Sequence, residues 1–471
     1  MPATLALAMT LAFVGYLFWR DVREQPNVSG ALWLPVVWVL IISSRTVSYW
    51  LYLFGFPGFA STSVEEGSSL DALVLSAMIG CGIYVLNKRR INWSDITREN
   101  RWLVLFVLYC LLSAVWSDSP VISIKRWIKI LGHPIMVLVV LTEANPEESW
   151  TRLMKRCAYV LFPISILCMK YYPALGRQFD SYGAAQNTGI TAAKNELGVV
   201  AIIFSLFFCW HILQVCKTKG VSGRRNELFL TGGLLFLTGY CLQKAHSATS
   251  VLSLLLAGVI MFALSLRFVD KRRIHTYALV FIITMFIAQG VFDVFGMVVS
   301  ATGHSSTLEG RGRLWEVLLA TDRNPILGAG YENYWSGERL RKIWAMPEFW
   351  WRPIQAHNGY LEVYLNLGVV GLFILVVLLI VTFGKCARDL LYDFEWGRLT
   401  MSYFVLMLVH NWTEAGFKGL SLMFFAFFFV ALRLPRHSYW PADADPWTLE
   451  EEQRATAHAA LGEEPLYPSR T

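Results

Sequence analysis

Apolar stretches of about 15 to 25 residues recur along almost the whole chain, separated by polar turns rich in Lys, Arg, Gly and Pro. A helix needs roughly 20 residues to cross the hydrocarbon core of a bilayer. None of the stretches shows the alternation of a barrel strand, and backbone in lipid must satisfy its own hydrogen bonds, so these stretches are helices. The pattern predicts an all-α, polytopic integral membrane protein of about 12–13 transmembrane helices. The spans fall near residues 3–19, 31–53, 70–87, 102–116, 121–141, 156–172, 195–215, 227–243, 248–266, 276–299, 358–383, 398–411 and 417–432. The first run, Ala3 to Trp19, lacks a basic leader and a small-residue cleavage site and reads as a span. No repeat of fixed period is visible, so the paired halves of an inverted-repeat transporter are not indicated.

Positively charged loops stay in the cytoplasm. Lys88, Arg89 and Arg90 mark one inner loop. Alternating from there, Arg20 with Arg23, Arg152 with Lys155 and Arg156, Lys217 to Arg225, Arg267 to Arg273, and Lys385 to Arg398 all fall on the same side. The scheme puts the amino terminus outside. It divides the chain into a membrane domain, 1–433, that includes a large outer loop, 301–357, and a cytoplasmic polar tail, 434–471. Asp443-Ala444-Asp445 in that tail resembles the Asp-x-Asp metal clamp of nucleotide-sugar enzymes, but it follows Pro441 without a strand and reads as solvated tail.

Composition agrees with this class: 55% of residues are hydrophobic and 16% charged, with a mean hydropathy of +0.46. The net charge of +7 is scattered over helix ends and forms no single basic face, which excludes a nucleic-acid surface. The 8 cysteines lie in or beside apolar runs without zinc or redox spacing. No metal, ATP loop or other cofactor is expected.

Four outer segments carry unusual polarity: Pro173 to Lys194, Gln243 to Ser250, Ala301 to His357, and Asn411 to Gly419. The third is far longer than an ordinary connection, and Trp315, Trp335, Trp344, Trp350, Trp351, Tyr331, Tyr334 and Phe349 make it too aromatic for a linker. Such rings either anchor at the bilayer surface or stack on sugars. Gly310-Arg311-Gly312-Arg313-Leu314-Trp315 opens a short helix that ends at Asn324-Pro325. Arg311 and Trp315 share a face, whereas Arg313 is rotated about 200° away, so one arginine alone meets a given target. A guanidinium suits a diphosphate, although ordinary lipid phosphates would hold it too.

His357 precedes Asn358-Gly359-Tyr360-Leu361-Glu362 where a helix begins, and the helix dipole there favours a neutral ring and an anion beside it. Neutral imidazole serves as a general base, while a lone histidine is more often structural. Lys194-Asn195-Glu196 starts another helix, with Lys194 either meeting a diphosphate or snorkelling to lipid headgroups. Lys244, His246, Ser247, Thr249 and Ser250 offer further donors. Glu414 either orients an acceptor sugar or pairs with Lys418 at i+4.

Taken in order, Thr188-Gly189-Ile190, Lys194 to Gly198, Ser247 to Ser250, Gly310-Arg311 with Leu314-Trp315, Asn324 to Gly328, and Ala356-His357-Asn358 resemble the O-antigen ligase and polysaccharide polymerase superfamily. The closer likeness is to exopolysaccharide polymerase-type proteins, and it runs from about Trp33 to Arg433. The resemblance implies a metal-independent glycosyltransferase of the large helical membrane class in a bacterial inner membrane, working on its extracytoplasmic side. Its donor would be a glycan on undecaprenyl diphosphate. His357 matches the family's proposed base and Arg311 its proposed diphosphate ligand. Ligases often carry an arginine beside the serine of the eighth-to-ninth loop; Ala248 stands there, leaving Lys244 or Lys194 as the second cation. The candidate site is therefore His357 and Glu414 for catalysis, with Arg311, Lys194, Asn195, Lys244, Ser247, Trp315 and Asn358 for substrate. Membrane lipids and other polysaccharide assembly and export proteins are the expected partners. A ligase moving finished glycan to a lipid or protein acceptor, and a transporter of lipid-linked glycan, remain as alternatives.

Overall fold

The computed structural model describes residues 1–56, 67–179, 183–217, 223–292, 305–321 and 324–434. The tail with Asp443 and Asp445, the end of the tenth predicted span and the first residues of the outer loop lie outside the described residues. Helices α1 Ala3–Arg23, α2 Trp33–Ile42, α3 Val47–Leu53, α4 Ser69–Lys88, α5 Trp93–Glu99, α6 Arg101–Leu112 and α7 Pro120–Ile130 are followed by α8 Gly132–Leu141, α9 Pro146–Tyr171 and α10 Pro173–Gly176. Then come α11 Lys194–Lys217, α12 Arg224–Ala245, α13 Ala248–Ala263, α14 Ile274–Phe292, α15 Ser305–Ala320, α16 Gly337–Trp344, α17 Gly359–Tyr392, α18 Phe394–Thr413 and α19 Leu422–Ala431. A two-stranded antiparallel ribbon pairs Arg177 with Asn187 before α11.

The chain is thus an all-α polytopic membrane protein, with a helix at every predicted span. Among the described residues, α1, α4, α11 and α17 are each long and apolar enough to cross a bilayer. Two bent pairs join them: Gly30–Ile42 with α3 at 70°, and α5 with Arg101–Trp116 at 93°. The span expected at 121–141 is in fact two helices. Lys125, Arg126 and Lys129 make α7 amphipathic, and the chain turns before α8, which is apolar apart from His133. At 10 residues each, α8 and α19 are about 15 Å long, too short to cross alone. Both are instead buried in the centre, where Trp150 of α9 stacks on Phe429 of α19 with ring centroids 3.5 Å apart.

Charges from separate predicted inner loops meet at one end of the bundle. Asp21 accepts from Arg152 at 3.1 Å and Arg156 at 2.8 Å, and Glu227 binds His211 at 2.7 Å and Lys155. Arg89 pairs with Glu143, and Lys217 with Glu395 at 2.5 Å. These cross-links close the end opposite the polar outer segments.

The large outer loop folds into a small core of its own. Leu314, Leu318, Tyr334, Ile343, Phe349 and Ala356 are buried together, with Trp315, Trp335 and Trp344 packed on them. Most of the aromatic residues expected at the bilayer surface or on sugars are therefore spent on packing, and Trp350 and Trp351 stay exposed. Gly310 and Arg311 lie inside α15, which starts at Ser305, and do not open it.

The loop docks on α17 where that helix breaks. Gly368 has φ of 66°, and the freed backbone pairs with the Asn324–Gly328 turn: Val369 N–H donates to Pro325 O at 3.0 Å and Val370 N–H to Ile326 O at 3.2 Å. In return Ala329 N–H and Gly330 N–H donate to Leu365 O and Asn366 O at 3.1 and 2.8 Å. A Cβ on Gly368 would lie 2.1 Å from Ile326 O. Gly368→Ala should lower stability by about 2 kcal/mol or more, because the left-handed backbone and the clash add. Gly232→Ala, in open space within α12, should be neutral or slightly stabilising. Thermal unfolding of the two variants in detergent checks this, and equal melting would contradict it.

Candidate functional site

Five elements converge on one carboxylate. Glu414 follows α18 directly, with an extended backbone that turns its side chain under the outer loop. Its Oε1 accepts from Asn195 Nδ2 of α11 at 2.9 Å and from Arg311 Nη2 of α15 at 3.1 Å. Its Oε2 lies 3.1 Å from His357 Nδ1 and 3.5 Å from Gln355 Nε2. Arg311 Nη1 also donates to Thr413 O at 2.8 Å, and Thr413 Oγ1 bonds Thr249 Oγ1 of α13 at 3.0 Å. Lys418, the other sequence-predicted partner, is not the residue that holds Glu414.

Burial by itself would raise the Glu414 carboxyl. The hydrogen bond from His357 and the charges of His357 and Arg311 outweigh it and hold the group below its ordinary value. Glu414 is therefore the anion that seats a guanidinium on one oxygen and an imidazole on the other. With Nδ1–H donating to Oε2, Nε2 carries the lone pair on the far side of the ring.

His357 is set by backbone more than by the helix start. It has φ of 50°, and Asn358, the next residue, caps α17 by accepting from Tyr360 N–H and Leu361 N–H at 3.0 and 2.9 Å. The anion site expected at that helix start is consequently filled by the Asn358 side chain, and Glu414 supplies the ring's partner. Asn358 Nδ2 donates to Trp412 O at 3.0 Å, which ties the cap to the strand of chain leading to Glu414. The close approach needs Gly359, where a Cβ would sit 2.0 Å from Asn411 Oδ1.

Beneath the loop, Glu362 accepts from Ala356 N–H at 2.8 Å and from the Trp335 indole at 2.7 Å, and Trp315 Nε1 donates to Ala356 O at 2.8 Å. Ala356 is held on both sides, which fixes the residue before His357. Trp315 thus packs and positions, while the exposed Trp351 lies with its ring centroid 6.0 Å from that of His357. Arg313, pointing away as its spacing predicts, pairs with Glu316 and Glu348 at 3.1 and 3.3 Å.

The remaining candidates divide. Lys194 is the first residue of α11, beside Asn195. Ser247 caps α13 and shares a hydrogen bond with Ser250 at 2.9 Å, against Gly198 of α11. Lys244 stands over the Tyr240 ring at 5.6 Å, and its carbonyl accepts from Asn187 at 3.3 Å. Neither Ser247 nor Lys244 touches Glu414, and from their turn Thr249 is the residue that reaches the cluster. Gln355 and the positioning role of Glu362 went unnoticed in the sequence. Their proximity to His357 was the available signal, but the roles depend on a loop fold that spacing does not reveal. Among the described residues no group of His, Cys, Asp and Glu is arranged to hold a metal ion.

Residues 233–376 match the family model described as O-antigen ligase. That segment contains Arg311 and His357, with Asn195 before it and Glu414 after it. Over 371 residues the chain is 26% identical to the exopolysaccharide production protein ExoQ of Rhizobium meliloti (strain 1021), covering 73% of this chain and 81% of that protein. A matched segment that carries both the arginine and the histidine, within a likeness spanning most of both proteins, supports the resemblance to the O-antigen ligase and polysaccharide polymerase superfamily.

Proposed function

We propose that the chain is a membrane glycosyltransferase that polymerises oligosaccharide carried on undecaprenyl diphosphate during exopolysaccharide assembly. It would sit in the bacterial inner membrane with Glu414 at the extracytoplasmic end, beside other assembly and export proteins. One observation carries the reading: a single buried carboxylate holds His357 and Arg311 side by side at the end of the bundle where the polar outer segments gather.

An acceptor hydroxyl gives its proton to His357 Nε2 as its oxygen attacks the anomeric carbon. The bond from that carbon to the diphosphate oxygen breaks, and its electron pair leaves with undecaprenyl diphosphate. Attack opposite the leaving group inverts the anomeric centre. Arg311 spends two of its five N–H groups on Thr413 and Glu414, which leaves three to meet the charge that develops on the diphosphate. Lys194, next to Asn195, adds a point charge. The scheme calls on no metal or cofactor. Transfer of finished glycan to a lipid or protein acceptor is the second reading, favoured by the ligase description of the matched family.

Purified protein in lipid, given undecaprenyl-diphosphate oligosaccharide and a chelator, should produce a ladder of products. One transfer to an added acceptor would instead mean a ligase, and movement across the bilayer without new bonds a transporter. His357→Ala should stay folded, melting somewhat below the wild type because Glu414 loses a partner, and should lose about 10²- to 10⁴-fold in rate; full activity would remove the histidine from the mechanism. Arg311→Lys keeps the charge but loses the fork, and should cost about 1–3 kcal/mol in donor or transition-state binding, measured as kcat/KM for the donor. Because the folded Glu414 carboxyl is held below its ordinary value, its contribution to stability is complete above the ordinary carboxylate range and disappears as pH falls through the lower folded value. Wild type should therefore melt above Glu414→Gln near neutral pH, and the gap should close in acid.

A further inference from the structure

At the end of the bundle opposite Glu414, α5, α6 and α17 enclose a cavity of about 470 Å³. Its rim carries Arg98, Arg101 and Arg388 with Glu99, and Lys385 lines its interior. Four cations against one carboxylate leave a net charge of +3. Leu103, Leu378 and Val381 form its apolar wall.

The floor is built and rigid. Asn100, at the 93° corner between α5 and α6, is 1% exposed. Its amide donates to Ile96 O and Arg433 O, both at 2.8 Å, and its oxygen accepts from Lys385 Nζ at 2.9 Å and Arg433 N–H at 3.0 Å. Lys385 is 6% exposed, and its second partner is Ala431 O at 3.0 Å. Both partners are neutral, and among the described residues Lys385 has no ion pair. A buried cation without a counter-charge is costly, and one of its three N–H groups is left over. Glu99, the nearest carboxylate, pairs with Arg388 at 3.3 Å.

The surroundings indicate where that counter-charge comes from. Lys385 lies 17 residues beyond the break at Gly368 in α17, roughly 26 Å of continuous helix, which is close to the thickness of the hydrocarbon core of a bilayer. The cavity therefore stands at the opposite membrane surface from Glu414. The bend between α5 and α6 lays α5 along that surface when α6 enters the bilayer, and Leu105 and Leu108, further along α6, are exposed. Cations at the membrane surface with aliphatic walls running into the bilayer match a lipid phosphate with its chains attached. A free anion would have no use for the walls.

We propose that this cavity binds an anionic phospholipid of the adjacent leaflet, its phosphate held by Arg101, Arg388 and Lys385 and its chains lying along Leu103, Leu378 and Val381. The test is native mass spectrometry of the full chain in detergent, titrated with phosphatidylglycerol, phosphatidylcholine, undecaprenyl phosphate and inorganic phosphate. Phosphatidylglycerol should bind in preference to the other three. The double variant Arg101→Gln with Arg388→Gln, both exposed and so compatible with folding, should weaken its binding by about tenfold or more. Exposed Arg313→Gln, in the outer loop, should leave it unchanged. Equal binding of phosphatidylcholine, or unaltered binding by the double variant, would overturn the site. Equal binding of inorganic phosphate would overturn its lipid character, and preference for undecaprenyl phosphate its assignment to a phospholipid.

Discussion

A carboxylate shared between an imidazole and a guanidinium is the constraint on which the end of the bundle under the 301–357 loop depends. Glu414 has two oxygens, and the chain brings Asn195 and Arg311 to one and His357 with Gln355 to the other. Buried alone, that acid would be costly. Its four charged and polar neighbours are themselves drawn from α11, α15 and the approach to α17, so satisfying one group fixes the relation among three elements. The same interaction that stabilises the end of the bundle therefore sets the spacing between His357 and Arg311.

The outer loop keeps this arrangement in register. Its aromatic residues form a second core, and its Asn324–Gly328 turn pairs through backbone with the break at Gly368. A helix that crosses lipid tolerates such a break only where other groups take over its freed N–H and C=O. The turn supplies them, so the membrane helix and the loop are one rigid unit where they meet. Glu362 and Trp315 then hold Ala356 from both sides, and His357 has little freedom left. Rings suited to sugar stacking are largely consumed in this support, while the exposed Trp351 lies beside the histidine.

Two cationic places at opposite membrane surfaces have different characters. Arg311 is matched by a carboxylate, whereas Lys385 is buried among neutral groups under an arginine rim. The first balance suits a charge that comes and goes during a reaction. The second suits an anion that stays.

The sequence by itself determined the all-helical membrane class, the positions of the helices and the grouping of basic loops at one end, because hydrophobic length and charge are local properties that lipid and water sort directly. It also separated Arg311 from Arg313, since helical rotation is a matter of spacing. Where Lys125, Arg126 and Lys129 interrupt a predicted span, the charges were visible but the turn into the short buried α8 was not. Tertiary structure alone decided that Glu414 belongs to His357 and Arg311 instead of Lys418, that Ser247 and Asn358 are spent on capping, and that Lys244 stands apart. The caps are local, but the Glu414 pairings join residues 57 to 219 positions apart, and hydrogen bonds over such separations select partners by geometry, which no local pattern encodes.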